Sequence, residues 1–185
     1  MNNHFFFMGG SAGGWRITDI RAIAGSSLEG AERLEVVDQH PTERSESSTW
    51  CLQGFASDLR YAKRDEVTML RAIQPDLNRA EAITAVLIPI KKSAAWWELA
   101  QDERRAIFEE ASHHTAVGMN YLPGVARRLL HCRDIGEPFD FLTWFEFAPE
   151  HTQSFATLLE QMRQSPEWDY VEREVEVWLD RRIPF

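Results

Sequence analysis

Residues 5–22 hold two apolar stretches on either side of Gly9-Gly10-Ser11-Ala12-Gly13-Gly14. That pattern predicts two strands joined by a Gly-rich hairpin turn. The glycine spacing, with no following helix that opens on Lys-Ser/Thr, excludes a nucleotide-binding loop. Residues 40–48 are polar and predict a loop, and residues 49–57 predict a strand. Val67, Leu70 and Ile73 recur at helical spacing and predict a helix over 63–73. Residues 83–90 form a β-branched apolar run, which predicts a strand ending near Pro89.

The second half repeats the alternation on a larger scale. Residues 93–114 predict a helix with Ser93 as its N-cap. Pro123 suits the first turn of a further helix reaching Cys132. Residues 139–147 place aromatic side chains on both faces of a strand. Phe155, Leu158, Leu159 and Met162 then form one stripe of a helix that Pro149 opens. Val171, Val175, Val177 and Leu179 share one face of a last strand over 170–179. This order predicts an α+β protein with antiparallel sheets covered by helices.

Composition narrows the class. The 185 residues suit one or two domains, at about 100–200 residues each, and such a chain can bury a core without staples. With 44% hydrophobic and 26% charged residues, disorder, collagen and coiled coil are excluded. The net charge is −9, and the pairs Arg104-Arg105, Arg127-Arg128 and Arg181-Arg182 are short and flanked by acids or apolar residues. This argues against nucleic acid as a partner, while one buried arginine would still suit a small anion. Two cysteines, Cys51 and Cys132, are too few for a disulfide framework and lack metal-like spacing. No stretch approaches the ~20 apolar residues of a membrane span, and residues 1–14 lack a basic leader region. The expectation is a cytoplasmic protein without membrane or nucleic-acid partners. Seven Trp and eleven Phe suit either a filled core or a large flat ligand.

The segment 113–127 carries the most chemistry. On a helix, His114 shares a face with Ile107 and Ala111 and points inward, while His113 sides with Glu109 and Glu110 and points outward. A lone inward histidine is most often a satisfied core residue. Its other role is metal ligation through the neutral imidazole. One histidine is too few for zinc, but it suffices for haem, whose porphyrin supplies four nitrogens. Arg127 and Arg128 are either a solvated pair near a helix end or place one guanidinium above an open site. Periodicity does not choose between these.

Several motifs resemble those of the chlorite dismutase family. They are the block from Ile88 to Glu110, Ser112-His113-His114, Tyr121-Leu122-Pro123, Ala126-Arg127, the run from His131 to Glu146, Glu167-Trp168, and Tyr170 to Val175. The resemblance covers nearly all of 85–180 and reaches weakly into the first half through Arg60-Tyr61. It implies two ferredoxin-like halves, a dimeric α+β barrel, in the short branch whose first half is trimmed. The halves would span 1–77 and 78–185, with haem b in the second. It further implies a homodimer that decomposes the anion chlorite to chloride and O2.

For single residues, the resemblance implies His114 as the axial iron ligand and Glu167 as the acid on its other nitrogen. Arg127 would hold chlorite and hypochlorite on the distal side, with Gln74 able to contact it. Lys92, Trp97 and Tyr61 would surround the propionates, and Trp96 would be a proximal-side aromatic. Two other readings compete: a coprohaem decarboxylase or other peroxide-using haem protein, and a non-enzymatic haem carrier or sensor. Relatives of the decarboxylating kind are longer and lack the distal arginine, so Arg127 favours chlorite chemistry.

Overall fold

The computed structural model describes residues 3–38, 48–56, 75–121 and 123–181. Among the described residues eight strands form one sheet: β1 His4–Gly10, β2 Trp15–Ala24, β3 Arg33–Val37, β4 Ser48–Ala56, β5 Thr84–Lys92, β6 Val125–His131, β7 Phe141–Phe147 and β8 Val171–Asp180. Every pairing is antiparallel. The order β1-β3-β2-β8-β5-β7-β6-β4 closes on itself, so the antiparallel sheets expected from the sequence are one barrel. The first four strands lie in the order β4-β1-β3-β2 and the last four in β8-β5-β7-β6, the same permutation twice.

Strand parity sorts the core into two layers. Phe7, Trp15, Leu34, Leu87, Leu142 and Trp144 fill the barrel interior. On the outer face of the second half, Ile88, Phe145 and Phe147 meet Phe155, Leu158 and Met162 of a helix over Thr152–Arg163. β7 is therefore buried on both sides, more fully than the burial on one side and partial cover on the other that its aromatics on both faces predict. The helix stripe at 155, 158, 159 and 162 is buried as predicted, each side chain contributing about 1.5–3 kcal/mol of burial. Among the described residues no helix is long and apolar enough to cross a membrane.

Four local predictions are corrected. First, β1 and β2 do not pair: β3 lies between them, so residues 11–14 span two strand widths instead of turning a hairpin. Gly13 has φ +142°, and a Cβ there would meet the Leu34 carbonyl carbon at 2.4 Å, so a side chain would collide with β3. Second, β5 passes through Pro89 to Lys92. Third, the long helix at 93–114 is interrupted. It comprises α1 Ala94–Glu98, α2 Gln101–Arg105, a π-helical turn Ala106–Ala111 and α3 His114–Met119, which makes Thr152–Arg163 α4. Fourth, the helix predicted after Pro123 is strand β6. Arg127 faces the outer layer and Arg128 lies over the Phe5 ring at 4.0 Å. With a cation on each buried face, the two-residue period is hidden from a hydropathy reading. The short strand β3 escaped the same reading. Neither cysteine is disulfide-bonded. The helix predicted at 63–73, with Tyr61 and Gln74, falls outside the described residues, as does the loop predicted over 40–48 except for Ser48, which opens β4.

Candidate functional site

Between the outer face of β5–β8 and the helices lies a cleft of about 1470 Å³, counting its solvent-open mouth. Ile88, Ile90, Leu129, Phe145 and Leu158 make its walls largely apolar. His114 and Arg127 both line it, the first from α3 and the second from β6.

Local chain geometry explains how His114 gets there. The π-helical turn ends at Ala111 with Ser112 as its C-cap, and His113 adopts a left-handed conformation, φ 50° and ψ 35°. Non-glycine residues rarely do so, although His is enriched among those that do. The chain therefore restarts as α3 with His114 as its first residue, and Glu109 Oε2 accepts a hydrogen bond from the Thr115 backbone N–H at 3.1 Å. The predicted division holds, with His113 exposed and the His114 side chain only 20% exposed. Its cause is this break rather than one continuous helix face. π-bulges recur at functional sites.

The His114 imidazole is held by a buried ion cluster. Its Nδ1 lies 2.7 Å from Glu167 Oε2. The other carboxylate oxygen, Oε1, accepts from Lys92 Nζ at 2.8 Å. Glu167 sits in a 3-10 turn, Pro166–Tyr170, that is pinned when its backbone N–H donates to the Ser112 hydroxyl at 3.1 Å. Burial alone would raise the Glu167 pKa. The charge and hydrogen bond of His114, and then those of Lys92, outweigh it and hold the carboxyl down at about 2. An ionised carboxylate can only accept. Nδ1 therefore carries a proton directed at Glu167, which leaves Nε2 as the ring nitrogen a ligand would use. Phe108 stacks on the imidazole, with centroids 4.4 Å apart.

The remaining predicted residues divide. Trp96 is buried and lines the cleft. The Lys92 ammonium, 3% exposed, lies 4.6 Å from the Trp96 ring centroid and is paired with Glu167. Trp97 does not line the cleft: its Nε1 donates to Asp140 at 3.2 Å, and Arg133 lies over its ring at 4.0 Å. Two of the residues expected at propionates thus have protein partners, and Tyr61 lies outside the described residues, as does Gln74. Sequence reasoning missed His131, which lines the cleft from the same β6 face as Arg127; reading 125–131 as a strand would have found it. It also missed Phe108 and Glu174. Nothing in the acidic alternation of β8 signals that Glu174 is buried.

A family model described as chlorite dismutase matches residues 32–183, and the chain belongs to the chlorite dismutase family. It is similar to the curated chlorite dismutase of Ideonella dechloratans, 29% identical over 66% of this chain. The match spans only 41% of that longer relative. Among solved structures it is similar to the dimeric chlorite dismutase from Nitrobacter winogradskyi. The two share 52% identity with a TM-score of 0.89, over 96% of this chain and 99% of that one. It is also similar to chlorite dismutase from Candidatus Nitrospira defluvii in complex with imidazole, at 28% identity and a TM-score of 0.58. That alignment covers 72% of this chain and 56% of the other.

Proposed function

We propose that this chain binds haem b and decomposes chlorite to chloride and O2, as a homodimer like the dimeric relative. The repeated strand order, β4-β1-β3-β2 and β8-β5-β7-β6, supports two ferredoxin-like halves divided near residues 77 and 78. Only four residues join β1 to β2, which fits a trimmed first half.

The donors present suit a haem. One imidazole offers Nε2 to a flat apolar cleft, and the porphyrin itself would supply the other equatorial ligands. Trp96 Nε1 is buried with no hydrogen-bond partner among the described residues. Buried donors are nearly always satisfied, so it is available to an oxygen of a bound group. His114 would be the axial ligand and Trp96 would border the group, as the family resemblance implies for Tyr61 too, while Trp97 would act from outside the cleft through Asp140. Lys92 would serve through Glu167, because its ammonium already has that partner. When bound, haem supplies the redox chemistry of Cl–O bond cleavage.

The chain's own residues do the rest. Glu167 keeps the proton on His114 Nδ1, which orients the ring and raises the basicity of Nε2. Arg127 remains charged at every working pH and presents a fork of donors. It binds chlorite and retains the chlorine-bearing fragment in the cleft, so that both oxygens leave together as O2. The apolar walls strengthen that charge interaction by excluding water. Gln74 would assist Arg127 from the distal side.

The observation that carries this reading is the clamped imidazole and the arginine lining one apolar cleft. The test is an oxygen electrode trace after chlorite is added to purified, haem-loaded protein. One O2 per chlorite is expected. Haem-loaded protein that releases none would refute the chlorite reading and turn attention to peroxide- or haem-handling roles. Arg127→Ala should retain haem, lower the O2 yield and bleach sooner as hypochlorite escapes. An equally active and durable variant would remove Arg127 from the mechanism.

A further inference from the structure

Next to the His114–Glu167 pair lies a second buried ion cluster that the proposed reaction does not use. β8 turns Glu174 and Glu176 away from the barrel interior, and both are buried. Arg163, in the last turn of α4, bridges them. Its Nε and Nη2 donate to Glu174 Oε1 at 3.1 and 2.6 Å, and Nη2 also donates to Glu176 Oε1. Each carboxylate uses its second oxygen for an indole. Glu174 Oε2 accepts from Trp168 Nε1 at 2.9 Å, and Glu176 Oε2 accepts from Trp178 Nε1 at 2.6 Å.

The two arms lead to different places. The Trp168 ring lies 6.3 Å from the His114 ring with planes within 20°. Lys92 Nζ stands 5.3 Å from its centroid, and Glu174 itself lines the cleft. The Trp178 ring faces Phe147, Phe155 and the half-exposed Arg21, and Glu176 does not line the cleft. Buried ion clusters carry a desolvation cost that an apolar replacement would avoid, so their presence calls for a geometric role. One hydrogen bond to His114 Nδ1 leaves the tilt of the imidazole about that bond unset. Phe108, stacked on the imidazole with centroids 4.4 Å apart, fixes that tilt in part, and a second ring held parallel to it constrains the tilt further.

We propose that Glu174, clamped by Arg163, is a positioning residue for the axial imidazole, anchoring the Trp168 N–H so that the indole stays parallel to His114 and covers the Lys92–Glu167 pair. The proposal rests on the reading of His114 as the axial ligand.

The test uses the haem-loaded full chain and two readouts besides turnover. One is the iron–histidine stretching band of the ferrous form in resonance Raman, and the other is the rate of haem transfer to a competing haem-binding protein. Glu174→Ala should shift and broaden the band and speed haem loss about tenfold, the lower end of what outer-shell partners contribute. Trp168→Phe removes the donor but leaves the ion cluster intact, and it should give the same result. The double variant should add little, because both changes break one interaction. Glu174→Gln keeps an acceptor for the indole and should restore the band. Glu176→Ala should lower Tm without moving either readout.

A wild-type band and haem-loss rate in Glu174→Ala would overturn the proposal and leave Glu174 as a counter-ion to Arg163. So would an equal effect from Glu176→Ala. If Glu174→Ala does not fold, Trp168→Phe decides alone, and a wild-type response there refutes the anchor. His114→Ala in the same assays separates the two levels. If it loses haem while Glu174→Ala behaves as wild type, only the positioning role fails. If it keeps haem as tightly as wild type, the axial reading fails first.

Discussion

Replacing Glu167 with alanine separates the two roles of the buried cluster. The carboxylate accepts from His114 Nδ1 at 2.7 Å and from Lys92 Nζ at 2.8 Å, and the Lys92 side chain is only 3% exposed. Removing it leaves a buried ammonium without its counter-charge, a change that costs about 3–5 kcal/mol. The low end applies here. Lys92 Nζ also lies 3.3 Å from the Glu167 backbone carbonyl, which any side chain retains, and the Trp96 and Trp168 rings still flank it. The expected loss is therefore about 3 kcal/mol, read as a lower midpoint in urea with the slope unchanged. Haem affinity should fall by about 10–100-fold as the imidazole loses its orienting partner. Adding Lys92→Met removes the stranded charge and leaves an unbranched chain between the two indoles. The double variant should recover most of the stability but none of the haem affinity. If Glu167→Ala unfolds at the wild-type midpoint, or if the double variant regains haem affinity as well, the assignment of Glu167 to two separate partners is wrong.

Acid should expose the same carboxylate. Its folded pKa near 2 lies below the ordinary value of 4.5, so its stabilisation is complete above pH 4.5 and fades as pH falls toward 2. Acid unfolding curves should show wild type losing its margin over Glu167→Ala across that window, and a constant margin would contradict this. His113→Ala should leave haem content at the wild-type level, because the residue is exposed; haem loss there would mean the wrong histidine had been chosen. Phe155→Ala removes a fully buried ring packed 4.9 Å from Phe145 and 5.7 Å from Trp178. It should cost about 3–5 kcal/mol in chemical unfolding, and a cost below about 1 kcal/mol would mean α4 does not close the outer core.

What the chain alone determines is the set of elements whose burial follows a regular period. β8 and α4 are legible because their apolar positions repeat every 2 or 3.6 residues, and β5 and β7 because a short continuous apolar or aromatic run suits a strand covered on both faces. The inward setting of His114 was legible too, although from an assumed continuous helix that the structure breaks at His113. Tertiary structure decided everything that depends on partners distant in sequence. β6 is a strand because β7 and the end of β4 pair with it, which no local pattern in Val125–His131 records. β3 separates β1 from β2 through pairings such as Phe6 with Val37 and Arg16 with Arg33, far apart along the chain. Glu174 and Glu176 alternate along β8 as solvent-facing residues would, and they are buried only because Arg163 and two indoles meet them there. A charged side chain has no intrinsic tendency toward the interior. Its burial is set by counter-charges and donors that folding brings to it, and these are contacts the linear order of residues does not specify.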